Sequence, residues 1–278
     1  MNDAEIARRY RAWFASIHSQ LEASSGKSLE EWAAIAIACP DNTISGRSSW
    51  LSSRYGLSPA LASKILSAIF RYPENAPNKE FEAFSRNEQA GVAFGVQWGG
   101  VENDAELSNV KSRFLDPYVS SDVSCLEIGS GGGRWTAFLL GAREVTCVEV
   151  EQGLLDYLEK RLGTTGKLRL VKTNGTDLPG VPAGSIDYVF SFGTFVHLWI
   201  EDIRSYIASV SEVLKVSGNV VLHVSNANNQ RTRREKPSFS NTSPEQIGRV
   251  IEEYGLRVVE VDEAILTHGA MMRAVKLG

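Results

Sequence analysis

The chain has 278 residues, a formal net charge of -4 and a pI near 5.7, with 43% apolar, 22% charged and 9% aromatic residues. Such proportions describe a soluble folded chain of one large domain or two smaller ones, and the mild acidity argues against a nucleic-acid binder working by bulk charge. The longest apolar run, Trp32 to Cys39, is too short to span a bilayer, the opening MNDAEIARRY has no apolar signal core, and Cys39, Cys125 and Cys147 form no CxxC pair, so a cytoplasmic chain without a disulfide framework or zinc cluster is expected.

Residues 1–72 carry helical periods and no convincing strand. Ile6, Tyr10, Trp13, Phe14, Ile17 and Leu21 recur at helical spacing. Ser28 with Glu31 three residues later predicts a capping box that opens a helix, which Pro40-Asp41-Asn42 stops. Further helices are expected near Ser48–Tyr55 and from Pro59 to Phe70. This segment carries +2 against -6 for the remainder. Residues 73–103, with Pro73, Pro77 and a Gly-rich run containing Phe94 and Trp98, read as a linker and covering segment. A helix is expected over Ala105–Val119.

Residues 104–278 read as a separate domain, in which strands and helices alternate from Asp122 onward. Strands are expected at Val123–Ile128, Val145–Val150, Leu168–Lys172, Ile186–Phe192 and Asn219–Val224. Helices are expected at Trp135–Leu140, Gly153–Leu162, Asp202–Leu214 and from Pro244 to Tyr254. A terminal antiparallel pair follows at Leu256–Val261 and Met271–Leu277. The implied fold class is α/β, a doubly wound, mostly parallel seven-stranded sheet behind an N-terminal all-helical domain.

The strongest motif is Leu126-Glu127-Ile128-Gly129-Ser130-Gly131-Gly132-Gly133-Arg134-Trp135, glycines at a strand-to-helix turn where a ligand can approach the main chain. The switch point of a doubly wound sheet is where such folds bind cofactors. A dinucleotide fingerprint requires glycine at 134, where this chain has Arg134. Glu127, two residues before the first glycine, would repel a pyrophosphate and suits a ligand bearing an ammonium and a sulfonium. Glu149 sits where either class of cofactor places a carboxylate on ribose hydroxyls.

In this order of stations residues 95–278 resemble the class I S-adenosylmethionine-dependent methyltransferases. Glu127, Gly129, Gly131 and Gly133 match the first motif, and Glu149 the acid that ends the second strand. Asn174, in Thr173-Asn174-Gly175-Thr176-Asp177, matches the residue against adenine. Asp187 fits the fourth-strand pattern, and Leu214–Gly218 resembles a turn of LKPGG type, departing at Val216 and Ser217. The resemblance implies a Rossmann-like methyltransferase with S-adenosyl-L-methionine as cofactor and S-adenosyl-L-homocysteine as product. The cofactor set it implies adds Ser130, Val150, Gly175, Thr176, Ser191 and Phe192, with Trp98 as a cover. No metal is expected. The N-terminal segment, through Gly26–Trp32 and Trp50–Leu57, resembles the DUF4287 type, which implies a cap or an association surface and a possible homo-oligomer.

His197, just beyond the fourth strand, is the leading candidate for a base to an oxygen acceptor, with His223 on the fifth strand second. Trp98, Trp135, Phe192 and Trp199 are candidates for an apolar lining, with core packing as the alternative. Asn226 and the basic stretch Asn228–Pro237, with Arg231, Arg233 and Arg234, are candidates for an anionic acceptor, against a plain solvated loop. Where relatives often carry Asp this chain has Gly193, which removes one alternative base. The expected activity is methylation of a small molecule, most readily at oxygen; a macromolecular acceptor, RNA or protein, and a non-catalytic adenosyl-binding subunit remain the alternatives. A nicotinamide-linked dehydrogenase is opposed by Arg134 and Glu127.

Overall fold

The computed structural model describes residues 25–41, 44–66, 99–173, 175–198, 200–235, 239–240 and 242–278. The chain divides into two compact units, residues 1–91 and 92–278.

The described part of the first unit is helical: α1 (Leu29–Ile37), α2 (Ile44–Tyr55) and α3 (Pro59–Leu66). Ser28 caps α1 with the expected reciprocal box, its backbone N–H donating to Glu31 Oε2 at 2.8 Å. Trp32, Leu51, Ile65 and Leu66 are buried, and the Trp32 indole N–H donates to Ser25 Oγ at 2.8 Å. The Tyr55 ring meets both Trp32 and Trp50 edge-on.

The second unit opens with α4 (Ala105–Val110), capped by the Asp104 side chain on the Leu107 N–H. The single helix expected to Val119 instead continues as a π turn (Lys111–Leu115) and a 3-10 turn (Asp116–Tyr118). Pro117 lacks the N–H that a further α turn would use. Then follow β1 (Ser124–Ile128), α5 (Thr136–Leu139), β2 (Glu144–Glu149), α6 (Gln152–Leu162), β3 (Leu168–Lys172), β4 (Ile186–Ser191), α7 (Ile200–Val213), β5 (Leu214–Val224), α8 (Gln230–Glu235), α9 (Pro244–Glu253), β6 (Leu256–Asp262) and β7 (Ala270–Lys276).

The sheet has seven strands in the order β3-β2-β1-β4-β5-β7-β6. All neighbours are parallel except the β5–β7 and β6–β7 pairs. Chain order reverses between β1 and β4, so the carboxyl ends of those strands frame a crevice. The expected turn at Leu214–Gly218 is instead taken into β5. Its partner residues jump from Ile186↔Leu214 to Tyr188↔Asn219, with Ser217 at φ 65°, so the extra residues bulge out and leave Val216 exposed. Helix α5 is shorter than expected, with Trp135 as its N-cap.

Period-2 alternation decides which side chains meet. Register places Glu127 between Cys147 and Phe190, and Phe190 beside Val221. Cys125, Cys147, Tyr188, Phe190 and Val221 thus share one face, packed against Phe114, Leu115, Trp135 and Leu139. The Tyr188 hydroxyl, buried there, donates to the Phe114 carbonyl. Toward their carboxyl ends the same strand positions carry Glu127, Glu149 and His223, so the apolar core runs directly into the polar site. Among the described residues, no helix is long and apolar enough to cross a membrane.

Candidate active site

The loop between β1 and α5 is held by φ values of 74° at Gly129, 52° at Gly131 and 85° at Gly133. At two of these glycines a side chain would have to displace a neighbouring one. A Cβ at 129 would lie 1.9 Å from Thr194 Oγ1, and one at 133 would lie 2.5 Å from Leu158 Cδ1. Arg161 Nη1 donates to the carbonyls of Gly132 and Gly133 at 3.1 and 2.8 Å, which fixes the far side of the loop. Ser191, a residue expected at the cofactor, donates its buried hydroxyl to the Ile128 carbonyl at 2.8 Å and clamps β4 to the end of β1.

Both acids flanking this loop are buried. Glu149 accepts from the N–H groups of Gly131 (2.9 Å), Val150 (2.8 Å) and Glu151 (3.2 Å), so its carboxylate ties the end of β2 to the glycine turn. Burial still raises its proton affinity against those three donors. Glu127 accepts from the Thr136 hydroxyl on α5. Burial pushes its carboxyl up to about 8; the Thr136 bond and Arg134 act against this, and Glu149 reinforces it. Gly175, at φ 103°, and the buried Thr176 form the turn after β3, where Thr173 Oγ1 accepts from the Gly175 N–H at 3.1 Å. Asn174, Trp98 and Trp199 lie outside the described residues, as does the side chain of Arg234.

A second cluster forms at the ends of β4 and β5. The Phe192 ring stacks on His223 at 4.4 Å and packs on Trp135 at 4.9 Å, while the Arg134 guanidinium lies 5.6 Å from its centroid. His223 is 5% exposed, its Nε2 is 3.2 Å from the His268 carbonyl, and burial pushes its imidazole down to about 3. His197, half-buried on the 3-10 turn Phe195–His197, meets the Phe239 ring edge-on at 5.3 Å. Phe239 also meets His223, at 6.0 Å. The structure therefore brings both sequence-selected histidines to one phenylalanine. Trp135 is a core residue that also borders the site.

Asn226 is buried, with its amide donating to Glu263 at 2.6 Å and its carbonyl accepting from the Asn228 N–H at 3.1 Å, so both ends of the side chain are already engaged. The stretch read as a basic loop contains α8. Arg231 is exposed there, and its N–H is capped by Asn229 Oδ1. Sequence reasoning missed Thr136, Phe239 and the His268 carbonyl, which reach the site only through the tertiary fold. It used Arg134 only to exclude a dinucleotide; its position directly after the glycines was the available signal for a site residue.

The residues present fit an adenosyl ligand. The Ser130 hydroxyl inside the glycine loop is buried without a hydrogen-bond partner in the protein. Two acids, rather than a phosphate cradle, flank it. The fold is that of a Rossmann-like methyltransferase, and the protein is a methyltransferase enzyme with S-adenosylmethionine as its cofactor. Residues 125–218 match the family model described as a methyltransferase domain.

Solved structures agree on the fold. An S-adenosylmethionine-dependent methyltransferase from Clostridium acetobutylicum matches at TM-score 0.55 and 12% identity, over 71% of this chain and 99% of that one. One from Mesorhizobium loti matches at 0.52 and 13%, over 64% and 100%. Geranyl diphosphate C-methyltransferase from Streptomyces coelicolor, solved with Mg2+, geranyl diphosphate and S-adenosyl-L-homocysteine, matches at 0.51 and 14%, over 64% and 82%. No curated protein matches the chain.

Proposed function

We propose that the enzyme methylates a hydroxyl oxygen of a small-molecule acceptor. The observation that carries this reading is the pair of imidazoles, His197 and His223, flanking Phe239 beside the glycine loop. Forming an ether from a hydroxyl releases one proton, which the half-buried His197 can receive, while the buried His223, which resists protonation, offers a hydrogen-bond acceptor to the hydroxyl. The cofactor, when bound, supplies an electrophilic methyl group on a cationic sulfur. Glu149 is the acceptor for its ribose hydroxyls, Glu127 the countercharge for its ammonium, and Ser130, Val150, Asn174, Gly175 and Thr176 the surrounding contacts. Phe192 and Trp135 exclude water from the reacting end, and alignment of the reacting atoms at about 3–3.5 Å supplies most of the rate.

The small-molecule reading is supported by solved neighbours named for such acceptors, geranyl diphosphate in one and sarcosine dimethylglycine in another. Residues 1–72 are proposed as a cap or self-association domain, residues 73–103 as the linker and cofactor cover with Trp98, and residues 104–278 as the cofactor-binding domain. Trp199, Asn226, Arg231 and Arg234 are proposed for the acceptor side.

A labelled-methyl transfer screen over hydroxylated metabolites, amines, RNA and protein tests this. Transfer to hydroxyl compounds is expected. Exclusive labelling of amines or macromolecules rejects it, and cofactor binding without turnover on any acceptor points to a non-catalytic subunit.

A further inference from the structure

His223 has a fixed tautomer. A backbone carbonyl can only accept, so the contact between His223 Nε2 and the His268 carbonyl at 3.2 Å places the proton on Nε2 and leaves Nδ1 as a bare lone pair. That atom is buried with no hydrogen-bond partner in the protein. Buried polar atoms are almost always satisfied, so an orphan beside a cofactor site marks a place for a ligand group.

The surroundings say which group. The Nε2–Cδ2 edge of the ring is turned to Gly269, where a Cβ would lie 2.6 Å from Nε2 and 3.1 Å from Cδ2, so Nδ1 is on the opposite edge. One face of the imidazole is covered by Phe192 at 28°, and Phe239 stands at 76° to it. Trp135, whose buried indole N–H also has no partner, packs on the same Phe192 ring. A flat ring carrying one proton donor suits these aromatic walls.

We propose that the acceptor is a flat aromatic hydroxyl compound of phenol type, whose hydroxyl donates to Nδ1 of His223. The proposal rests on the O-methylation reading and narrows it. An ammonium group is disfavoured because the Arg134 cation already borders Phe192 and the buried imidazole itself resists protonation. An aliphatic alcohol is disfavoured because it is a weaker hydrogen-bond donor than a phenol and lacks the flat ring that the Phe192, Phe239 and Trp135 walls suit. Phenols ionise near pH 10, far more readily than alkanols.

The test is calorimetry on the full-length protein saturated with S-adenosylhomocysteine. The probes are 2-naphthol, 2-methoxynaphthalene, decahydro-2-naphthol and 2-(aminomethyl)naphthalene. Naphthol is expected to bind about tenfold more tightly than its methyl ether, the value of one buried hydrogen bond, and more tightly than the alkanol and the amine. His223→Phe should erase its advantage over the methyl ether. In wild-type protein carrying 15N-histidine, naphthol should move the unprotonated Nδ1 resonance of His223 upfield, a readout independent of the variant's folding. Naphthol binding no tighter than its ether, an unmoved Nδ1 resonance, or no binding by any probe would overturn the proposal while leaving the cofactor assignment intact. Failure of S-adenosylhomocysteine itself to bind would reject the underlying reading instead.

Discussion

The buried carboxyl groups of Glu127 and Glu149 lie at the carboxyl-terminal part of the neighbouring parallel strands β1 and β2, and after burial itself the charge of Glu149 is what helps Glu127 keep its proton. With its carboxyl at about 8, Glu127 is mostly protonated at neutral pH in the ligand-free protein. A cationic ammonium placed against it favours the ionised form, so cofactor binding should expel a proton. Calorimetry in buffers of different ionisation enthalpy should find close to one proton released near pH 6.5 and almost none above pH 9, the window set by about 8. Affinity should rise with pH across that interval. In Glu127→Gln both effects should vanish; proton release that persists in this variant rejects Glu127 as the source.

Glu127 and His223 should also oppose each other in stability. Glu127 is raised from 4.5 to about 8, so the native state binds the extra proton between those values and its contribution is lost as pH rises through about 8. His223 is lowered from 6.5 to about 3, so the unfolded state binds the extra proton and stability is lost as pH falls below 6.5. Between 4.5 and 6.5 the two slopes, each about 1.4 kcal/mol per pH unit at most, cancel. Denaturant melts should therefore show Glu127→Gln gaining acid lability there relative to wild type, and His223→Phe the reverse trend. Parallel profiles for all three proteins exclude this balance.

Gly129→Ala combines a left-handed backbone with a clash at Thr194. The φ of 74° alone should cost roughly 1–2 kcal/mol. Because the nearest atoms belong to the Thr194 side chain, the double variant with Thr194→Ala should recover part of the lost Tm, and the remainder measures the backbone strain. A single variant as stable as wild type would show that the loop relaxes freely.

The sheet and the glycine loop were legible because both rest on local rules: β-branched runs between helices, and glycines where a strand turns into a helix. What stayed hidden depends on contacts distant in sequence. The Leu214–Gly218 segment reads as a turn because of Ser217-Gly218, yet β4 captures it into β5 as a bulge. The ranking of His197 above His223 used chain position alone. That His223 carries a bare Nδ1 follows only from the His268 carbonyl 45 residues away. Phe239 sits in a polar stretch, SFSN, with no pattern to mark it.

Glu149 accepts three backbone N–H groups and so shapes the site, and we propose it as the acceptor for the ribose hydroxyls. Glu149→Ala should weaken S-adenosylhomocysteine binding by about 1–3 kcal/mol, roughly 5- to 150-fold. Glu149→Gln should fare little better, since its amide NH2 would face donors. Affinity equal to wild type in both would place the ribose elsewhere.

Glu106 on α4 accepts from both the N–H (3.0 Å) and the hydroxyl of Thr267, and so anchors the segment between β6 and β7. That segment supplies the His268 carbonyl to His223 and the Gly269 N–H to Thr232 Oγ1 at 3.3 Å. Glu106→Ala should release it without touching the glycine loop. The expected signature is faster hydrogen exchange at residues 264–269 and an acceptor KM raised several-fold, with S-adenosylhomocysteine affinity within about twofold of wild type. Equal loss of cofactor affinity would mean that Glu106 supports the whole unit rather than the acceptor side, and an unchanged KM would mean that His223 holds its orientation without this anchor.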